Sequence, residues 1–393
     1  MTAQERRSSV SLALIFALRM FGLFLVLPVF ALEARKYPGG DDPALVGLAM
    51  GMYGLTQAFF QLPLGMASDR FGRKRVIVTG LLVFAVGSLW AALANDVMGL
   101  LLGRALQGAG AVSAAVTALL ADQTRESVRT KAMALVGISI GLMFALALVA
   151  APLLAAQFGL AGLFWLTFGL TVAGIATVLW VVPPEQPRST HGQPGRLADV
   201  LRNADLMRVN FGVFVLHTVQ MAMWVAVPAM LVQAGLLKEA HWQAYLPALV
   251  LSIIAMGGLL AMERRGRLRA AMLLSIGLIL LVQLGLGMVA AAGGGVPSLW
   301  GLGALLFVFF CGFNMLEATQ PSLVSRMAPG SLRGAALGAY NTLQSLGLFA
   351  GGALGGALAK WAGAPGLFAA TALLAALWLA LTWPLRPVAK AGS

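Results

Sequence analysis

The stretch GMASDRFGRKR, Gly65 to Arg75, places five charged residues between two long apolar runs. The rest of the chain shows why this is unusual: 60% of its 393 residues are hydrophobic, only 10% are charged, and the mean hydropathy is +0.87. A soluble protein is about 45–50% apolar and about 25% charged. A chain so poor in charge cannot cover a water-facing surface, and the sequence therefore predicts a membrane protein.

The apolar runs have the length of helices that cross a bilayer, about 20 residues for a hydrocarbon core of about 30 Å. All are predicted to be helices, because lipid offers no partner to the polar groups of the backbone. The twelve predicted spans lie near 10–33, 45–67, 76–94, 97–121, 132–156, 160–182, 208–234, 242–262, 270–292, 297–322, 332–358 and 364–385.

One long polar connection with four prolines separates the first six spans from the last six. We predict an N-terminal six-helix bundle over 1–182, a cytoplasmic linker over 183–207 and a C-terminal six-helix bundle over 208–393. The fold class is therefore an all-α membrane protein built from two pseudo-symmetric bundles.

Basic residues alternate between the connections, so that 21 of the 27 Lys and Arg residues fall on one side of the membrane. The positive-inside rule makes this side, with both chain termini, cytoplasmic. The net charge of +13 is then explained by topology and by contact with anionic lipids, and we predict no nucleic-acid partner. The expected location is the bacterial cytoplasmic (inner) membrane, which the chain crosses many times.

The sequence contains no metal-ligand cluster, no phosphate-binding glycine loop and no nucleophile triad. We therefore predict no cofactor, no metal and no enzymatic activity. The single cysteine, Cys311, lies in an apolar run and cannot form a disulfide within the chain. The expected partners are a small-molecule substrate, protons and membrane lipids, and we expect a monomer.

The charged stretch returns in degenerate form in the second half as LLAMERRGRLR, Leu259 to Arg269. Asp69 aligns with Glu263, and Gly72 aligns with Gly266. Two six-span halves in parallel repeat are a known plan of transporters, which bind substrate between the halves near the middle of the membrane. The alternative is that two basic loops look alike because both face the cytoplasm, but the recurrence of the spacing favours a repeat.

These motifs resemble those of a known family. The pattern of Gly65 to Arg75 resembles the signature loop of the major facilitator superfamily, and LLGRALQGAGA, Leu101 to Ala111, resembles a motif of its drug–proton antiporters. RMFGLFLVLP in the first span and FNMLEATQPSL in the tenth are similar to its YajR-like branch. The resemblance covers the whole chain and implies alternating access, with drug-like or amphipathic compounds exported in exchange for protons.

One departure keeps a second function open. In the fifth span Leu142 stands where the antiporter pattern has a proline. A proton-coupled uptake symporter for a small metabolite is therefore the alternative. A membrane sensor that transports nothing is a third hypothesis, which the short loops disfavour.

The resemblance also implies a conformational latch on the cytoplasmic side. In the family, the counterpart of Asp69 faces the start of the eleventh span, here near Ser331, and the counterpart of Arg73 pairs with an acid that ends the fourth span, here Asp122. A carboxylate beside a helix N-terminus is stabilised by about 0.3–1 kcal/mol. The alternative is an ordinary basic loop that fixes topology, although topology requires no glycine. The predicted latch consists of Gly65, Asp69, Arg70, Gly72, Arg73 and Asp122.

Five ionisable residues lie in or at the ends of predicted spans and are candidates for proton coupling. A buried arginine costs at least about 2.5–3.5 kcal/mol, so Arg19 and Arg104 should face a wet interior or a partner. The resemblance associates Arg104 with proton transfer. Glu317 is the deepest acid of the second half, and His217 is the only histidine inside a span. Glu33 lies near the outer end of the first span, and structural hydrogen bonding remains the alternative throughout.

Polar residues at helical spacing are candidates for a substrate cavity. In the second span three of them recur every four residues and share a face. Similar residues occur in the fourth, seventh and tenth spans beside Phe, Met and Trp, which suits an amphipathic organic molecule. The cavity candidates are Tyr53, Gln57, Gln61, Gln107, Gln220, Trp224 and Asn314.

Overall fold

A computed structural model describes residues 1–185, 197–292, 296–328 and 332–385. Within these ranges the chain is almost entirely helical and contains no strand. The helices are α1 (Ala3–Glu33), α2 (Pro43–Phe71), α3 (Arg73–Ala92), α4 (Val97–Ala109), α5 (Ser113–Asp122), α6 (Glu126–Ala176), α7 (Leu197–Arg202), α8 (Ala204–Gln233), α9 (Trp242–Arg264), α10 (Leu268–Ala291), α11 (Leu299–Met327) and α12 (Arg333–Thr382).

Side-chain caps in the sequence explain where several helices begin. Thr2 and Glu5 form a reciprocal capping box at the start of α1. Asp42 caps α2 ahead of Pro43, and the side chains of Asp96 and Ser298 cap α4 and α11. Each cap accepts a hydrogen bond from a backbone N–H group that the helix itself leaves without a partner.

Two helices are too long for a single crossing. The 51 residues of α6 and the 50 of α12 would each extend about 75 Å at about 1.5 Å per residue. Each contains one glycine with a left-handed backbone, Gly159 at φ 64° and Gly363 at φ 65°, where the helix direction breaks. Ten helical stretches of the described chain are long and apolar enough to cross a bilayer. The count of twelve spans stays a prediction, which would require α6 and α12 each to cross the bilayer twice, with a break at these glycines.

The chain forms two compact units, 1–191 and 192–393, and the boundary lies within the predicted linker. The described part of that segment is partly helical. It contains α7 and the first turn of α8, and Val200 on α7 is buried in the core of the second unit. The predicted seventh span, 208–234, therefore begins four residues late, because the cap at Asn203 starts the helix in the polar segment before the apolar run.

Helix packing follows the same order in both units. In the first unit α1 packs on α6, α2 on α4, and α3 on both α4 and α6. In the second unit α8 packs on α12, α9 on α11, and α10 on both α11 and α12. The correspondence extends the repeat found in the sequence from two loops to the packing of five helices in each unit.

An ion pair holds the start of α1 against the junction between α5 and α6. Arg125 Nε donates to Glu5 Oε1 at 2.7 Å, and Nη2 donates to Oε2 at 3.1 Å. The Glu5 carboxylate raises the pKa of the Arg125 guanidinium above its ordinary value, chiefly through these hydrogen bonds. The pair fixes the N-terminal end of α1 within the first unit.

Candidate functional site

Arg73 begins α3 and makes most of the contacts of the charged stretch, Gly65 to Arg75, which joins the end of α2 to the start of α3. Its Nη1 lies 2.6 Å from Asp69 Oδ1 and donates to Ser68 Oγ at 2.6 Å, and its Nε lies 3.2 Å from Asp122 Oδ2. Only 13% of the Arg73 side chain is exposed. The structure therefore brings Arg73 together with the acid that ends α5, and adds Ser68, which the motif did not indicate.

The turn after α2 depends on glycine. Gly72 has φ 104°, and its counterpart in the repeat, Gly266, has φ 78°. A Cβ atom on Gly65 would lie 3.4 Å from the Ala114 Cβ, so this unit alone does not require glycine there. Arg70 lies over the Phe71 ring at 5.4 Å.

The second unit also contains an ion pair between the repeated stretch and the end of a later helix, but different positions of the repeat form it. Glu263, at the end of α9, accepts a hydrogen bond of 3.2 Å from Arg326, at the end of α11. In the first unit Arg73, which begins α3, pairs with the acid that ends α5, whereas in the second unit Glu263, which aligns with Asp69, pairs with a base near the end of α11. The contact of Asp69 with the eleventh span stays a prediction, because Ser331 lies outside the described residues.

Glu185, which the sequence did not single out, binds the beginning of α3. Its carboxylate accepts hydrogen bonds from the backbone N–H groups of Arg73 at 3.1 Å and Lys74 at 2.7 Å. Lys74 Nζ donates to the Val182 carbonyl at 2.6 Å, and Gln123 donates to the Pro183 carbonyl at 3.0 Å. The first residues of the linker are thus fastened to the charged stretch.

The two arginines inside the first unit meet at one tyrosine. Arg19 Nη2 donates to Tyr53 Oη at 2.8 Å, and Arg19 Nη1 donates to Ser113 Oγ at 2.9 Å. The Arg104 guanidinium lies 4.8 Å from the centre of the Tyr53 ring and donates to Gln107 Oε1 at 2.9 Å. All the members except Ser113 are buried. Tyr53 and Gln107 therefore belong to a buried network, and their place in a substrate cavity stays a prediction.

A glycine makes this arrangement possible. A Cβ atom on Gly108 would lie 2.1 Å from the Tyr53 carbonyl oxygen and 2.2 Å from Thr56 Oγ1. Only a residue without a side chain allows α4 to approach α2 so closely. Gly108 follows Arg104 by one helical turn, so the close contact holds Arg104 over the tyrosine ring.

In the second unit the structure brings His217 and Glu317 together. Nε2 of His217 on α8 lies 3.1 Å from Oε1 of Glu317 on α11. Nδ1 of His217 lies 3.0 Å from the Val213 carbonyl, and Nε2 lies 2.9 Å from Nε2 of Gln344 on α12. The Phe313 ring packs edge-on against the imidazole. Gln344 was not predicted; its place on a small-residue helix gave no sign of a polar contact.

The neighbours of His217 indicate which of its ring nitrogens carries hydrogen. A carbonyl oxygen only accepts hydrogen bonds, so Nδ1 of His217 carries its hydrogen and Nε2 is the atom that can gain or lose one. An attractive contact with Glu317 then needs a proton on either Nε2 or the carboxyl group. The Gln344 amide group also faces Nε2 and, as an N–H donor, favours the form of His217 in which Nε2 accepts a hydrogen bond.

The remaining candidates lie elsewhere. Glu33, at the outer end of α1, is buried and pairs with Lys36 at 2.6 Å, away from the Arg19 network. Asn314 donates to Ser252 Oγ at 2.9 Å. Gln57 is half-buried and Gln61 is buried on α2.

Two of the predicted cavity residues line a cavity inside the second unit. Gln220 and Trp224 on α8 face α11 across it. The other walls are apolar or aromatic, and the indole N–H of Trp224 has no hydrogen-bond partner among the described residues. The remaining lining residues are Met223, Val227, Leu306, Phe309 and Phe310.

Comparison with known proteins identifies the family. The model of the Major Facilitator Superfamily matches residues 12–352. The chain is 41% identical over 387 residues to the inner membrane transport protein YajR of Escherichia coli (strain K12), covering 96% of this chain and 83% of that one. It is 29% identical over 370 residues to the multidrug resistance protein MdtH of Aeromonas salmonicida (strain A449), covering 90% and 88%.

Solved structures agree on the fold. The crystal structure of a mutant of the nucleoside transporter NupG superimposes with a TM-score of 0.76 at 13% identity, covering 96% of this chain and 99% of that one. The repeat, the helix packing and the family match lead to one conclusion: the chain belongs to the major facilitator superfamily and is a multi-pass transporter of the inner membrane, similar to YajR.

Proposed function

We propose that this transporter is proton-coupled and exports drug-like or amphipathic organic compounds by alternating access. The contact between His217 and Glu317 is the observation that carries the proposal. It supplies one exchangeable proton inside the second unit, and Gln344 and Phe313 hold the imidazole in place. A secondary transporter needs such a group if a proton gradient is to drive the movement of a substrate.

Two features support organic compounds as the substrates. The cavity beside Gln220 and Trp224 has a volume of about 10 Å³, too small for an organic molecule as it stands, but its Met, Phe and aliphatic lining has the apolar character of a site for amphipathic compounds. The relative MdtH is named as a multidrug resistance protein. We infer a monomeric exporter of this class.

Uptake of a small metabolite together with protons is the second candidate. Leu142 on α6, where the antiporter pattern has proline, favours it. The contact between His217 and Glu317 would also serve in a symporter, because an antiporter and a symporter differ only in the direction in which substrate moves relative to the proton.

The predicted latch belongs to this proposal. Asp69, Arg73 and Asp122, with Gly65, Arg70 and Gly72, would bias the alternation between two states of the transporter. The ion pairs of Arg73 support this role, because they hold the Asp69 side chain at the cytoplasmic turn. Asp69→Asn is expected to slow transport while leaving the protein folded.

Transport by inverted membrane vesicles tests the proposal. A respiring vesicle acidifies its interior, so an exporter that exchanges substrate for protons should accumulate a fluorescent organic compound inside. A protonophore should abolish the accumulation, and vesicles from cells lacking the protein provide the baseline. Accumulation that survives collapse of the gradient would refute proton coupling. Substrate leaving the vesicle together with protons would establish the symporter.

A further inference from the structure

The first unit buries two guanidinium groups without a carboxylate beside them. Arg19 is 2% exposed and Arg104 is 1% exposed. Their hydrogen-bond acceptors are the hydroxyls of Ser113 and Tyr53, the Gln107 amide and one backbone carbonyl, all of which are neutral. No described acid lies within ion-pair distance of either arginine.

Acidic residues are almost absent from the predicted spans of the whole first half. Its six predicted spans contain one acidic residue, Glu33, which ends the first span and pairs with Lys36. Glu33 follows Arg19 by fourteen residues, about 21 Å along the helix. It is therefore too distant to neutralise Arg19.

The environment of the two arginines reduces the cost of their charge but does not cancel it. The Phe84 ring lies 5.4 Å from the Arg19 guanidinium, and the Tyr53 ring lies beneath Arg104. Nε of each arginine is buried without an acceptor among the described residues. Arginine does not lose its proton in proteins, so only an anion can neutralise these groups.

We propose that Arg19 and Arg104, spaced by Tyr53, form the receptor for an anionic group of the transported compound. The proposal rests on the export of organic compounds and narrows their class to anionic amphipathic molecules that carry a carboxylate or a similar oxyacid. A guanidinium presents parallel N–H donors that match the two oxygens of such a group. Tyr53 is a positioning residue, because its hydroxyl holds Arg19 while its ring supports Arg104.

A purely structural role explains the arrangement less well. Glutamine or hydroxyl side chains could bind the same neutral acceptors without placing charge in the membrane. Two like charges in one bundle also repel each other in a medium of low dielectric constant. An anion removes both costs when it binds.

The charge preference of binding tests the proposal on the purified full-length protein. Dansylglycine, a monoanion, and dansylethylenediamine, a monocation, share one fluorophore whose emission rises in an apolar site. We expect the anion to bind at least tenfold more tightly. Arg19→Gln should weaken binding of the anion at least tenfold, and Arg19→Lys should weaken it less. The matched control is Arg208→Gln, which removes one positive charge from an ion pair with Asp205 outside this network.

Equal affinity for the two dyes, tighter binding of the cation, or binding of neither would overturn the proposal. If Arg19→Gln does not fold, two other measurements decide whether the proposal stands. They are the preference of the unmodified protein for the anionic dye and the affinity of the Arg19→Lys variant for that dye. The vesicle assay separates this inference from the proposed function. Binding of the anion through Arg19 without gradient-driven transport refutes only the proton coupling. Gradient-driven transport without preference for the anion refutes only the anion receptor.

Discussion

Tyr53 shows how much one side chain contributes to the interior of this transporter. Its hydroxyl accepts a hydrogen bond from Arg19, and its ring lies under Arg104. Tyr53→Phe keeps the ring and removes the acceptor, which leaves a charged donor unsatisfied. We expect a loss of about 1–3 kcal/mol in the free energy of unfolding, seen as a lower melting temperature in detergent.

The chain offers a matched control for this substitution. Tyr245 is also fully buried, but its hydroxyl has no partner among the described residues. Tyr245→Phe removes an unsatisfied polar group and is expected to leave the melting temperature unchanged or to raise it. Equal destabilisation by both substitutions would contradict the role given to the Tyr53 hydroxyl.

Glu317 makes the second prediction at the scale of a residue. Glu317→Gln retains the shape of the side chain but cannot exchange a proton with His217. Gradient-driven accumulation in inverted vesicles should fall at least tenfold and lose its dependence on pH, whereas exchange of substrate at equal concentrations should continue. Glu126→Gln, the same change at an exposed position on α6, should behave like the unmodified protein. Coupled transport by the Glu317→Gln variant would rule out Glu317 as the proton carrier.

Residue contacts could be predicted only where a motif or an unusual location marked them. His217 and Glu317 stood out separately because ionisable groups in a membrane are costly, but helical periodicity could not show that they touch. Gln344 and Glu185 gave no signal, since one lies in a helix rich in small residues and the other in a proline-rich linker. Their contacts depend on tertiary packing, which one-dimensional patterns do not contain.

Close contact between α8 and α12 depends on glycines placed one turn apart. A Cβ atom on Gly347 would lie 2.3 Å from the Phe214 carbonyl oxygen, and one on Gly351 would lie 2.2 Å from the Thr218 carbonyl oxygen. Backbone atoms cannot move aside as a flexible side chain would. These helices can therefore pack only through a small-residue face.

Gly351→Ala is expected to force α12 away from α8 and to cost about 1–3 kcal/mol of stability. Gly334→Ala lies in the same helix, where an added Cβ meets nothing within 4 Å. Alanine is the better helix former by up to about 1 kcal/mol, so this control should leave the melting temperature unchanged or raise it. Comparable losses in both variants would show that the cost does not arise from packing against α8.

At the scale of the elements, prediction succeeded where hydropathy dominates. Apolar runs placed the helices because lipid permits no other backbone structure. The ends were less predictable: the cap at Asn203 starts α8 within the polar linker, and α7 forms from a short polar segment. The helix breaks at Gly159 and Gly363 lie between predicted spans. At both positions glycine has a positive φ angle, which interrupts the helix.

For the whole molecule, the repeat is the property that the sequence predicted best. Its two degenerate loops aligned Gly72 with Gly266, and both have positive φ angles. The ion pair of Glu263 with Arg326 could not be foreseen, because Glu263 aligns with Asp69, whereas in the first half Arg73 pairs with Asp122. Each half thus has an ion pair between its charged stretch and the end of a later helix, formed by different positions of the repeat.

The charge balance of a transport cycle yields the last prediction. Exchange of one exported monoanion for one entering proton moves two positive charges inward. A potential of about 100 mV, negative inside, then contributes about 4.6 kcal/mol, which is more than three factors of ten in concentration. Exchange of a monocation for one proton moves no net charge and gains nothing from the potential.

Potassium diffusion potentials imposed with valinomycin on proteoliposomes, without a pH difference, can measure this dependence. An inside-negative potential should accelerate export of dansylglycine, and an inside-positive potential should slow it. The Glu317→Gln variant is the control, because exchange without a proton should depend less on the potential. If the export rate does not depend on the membrane potential, the cycle is electroneutral. Either the anionic substrate or the exchanged proton would then have been wrongly assigned.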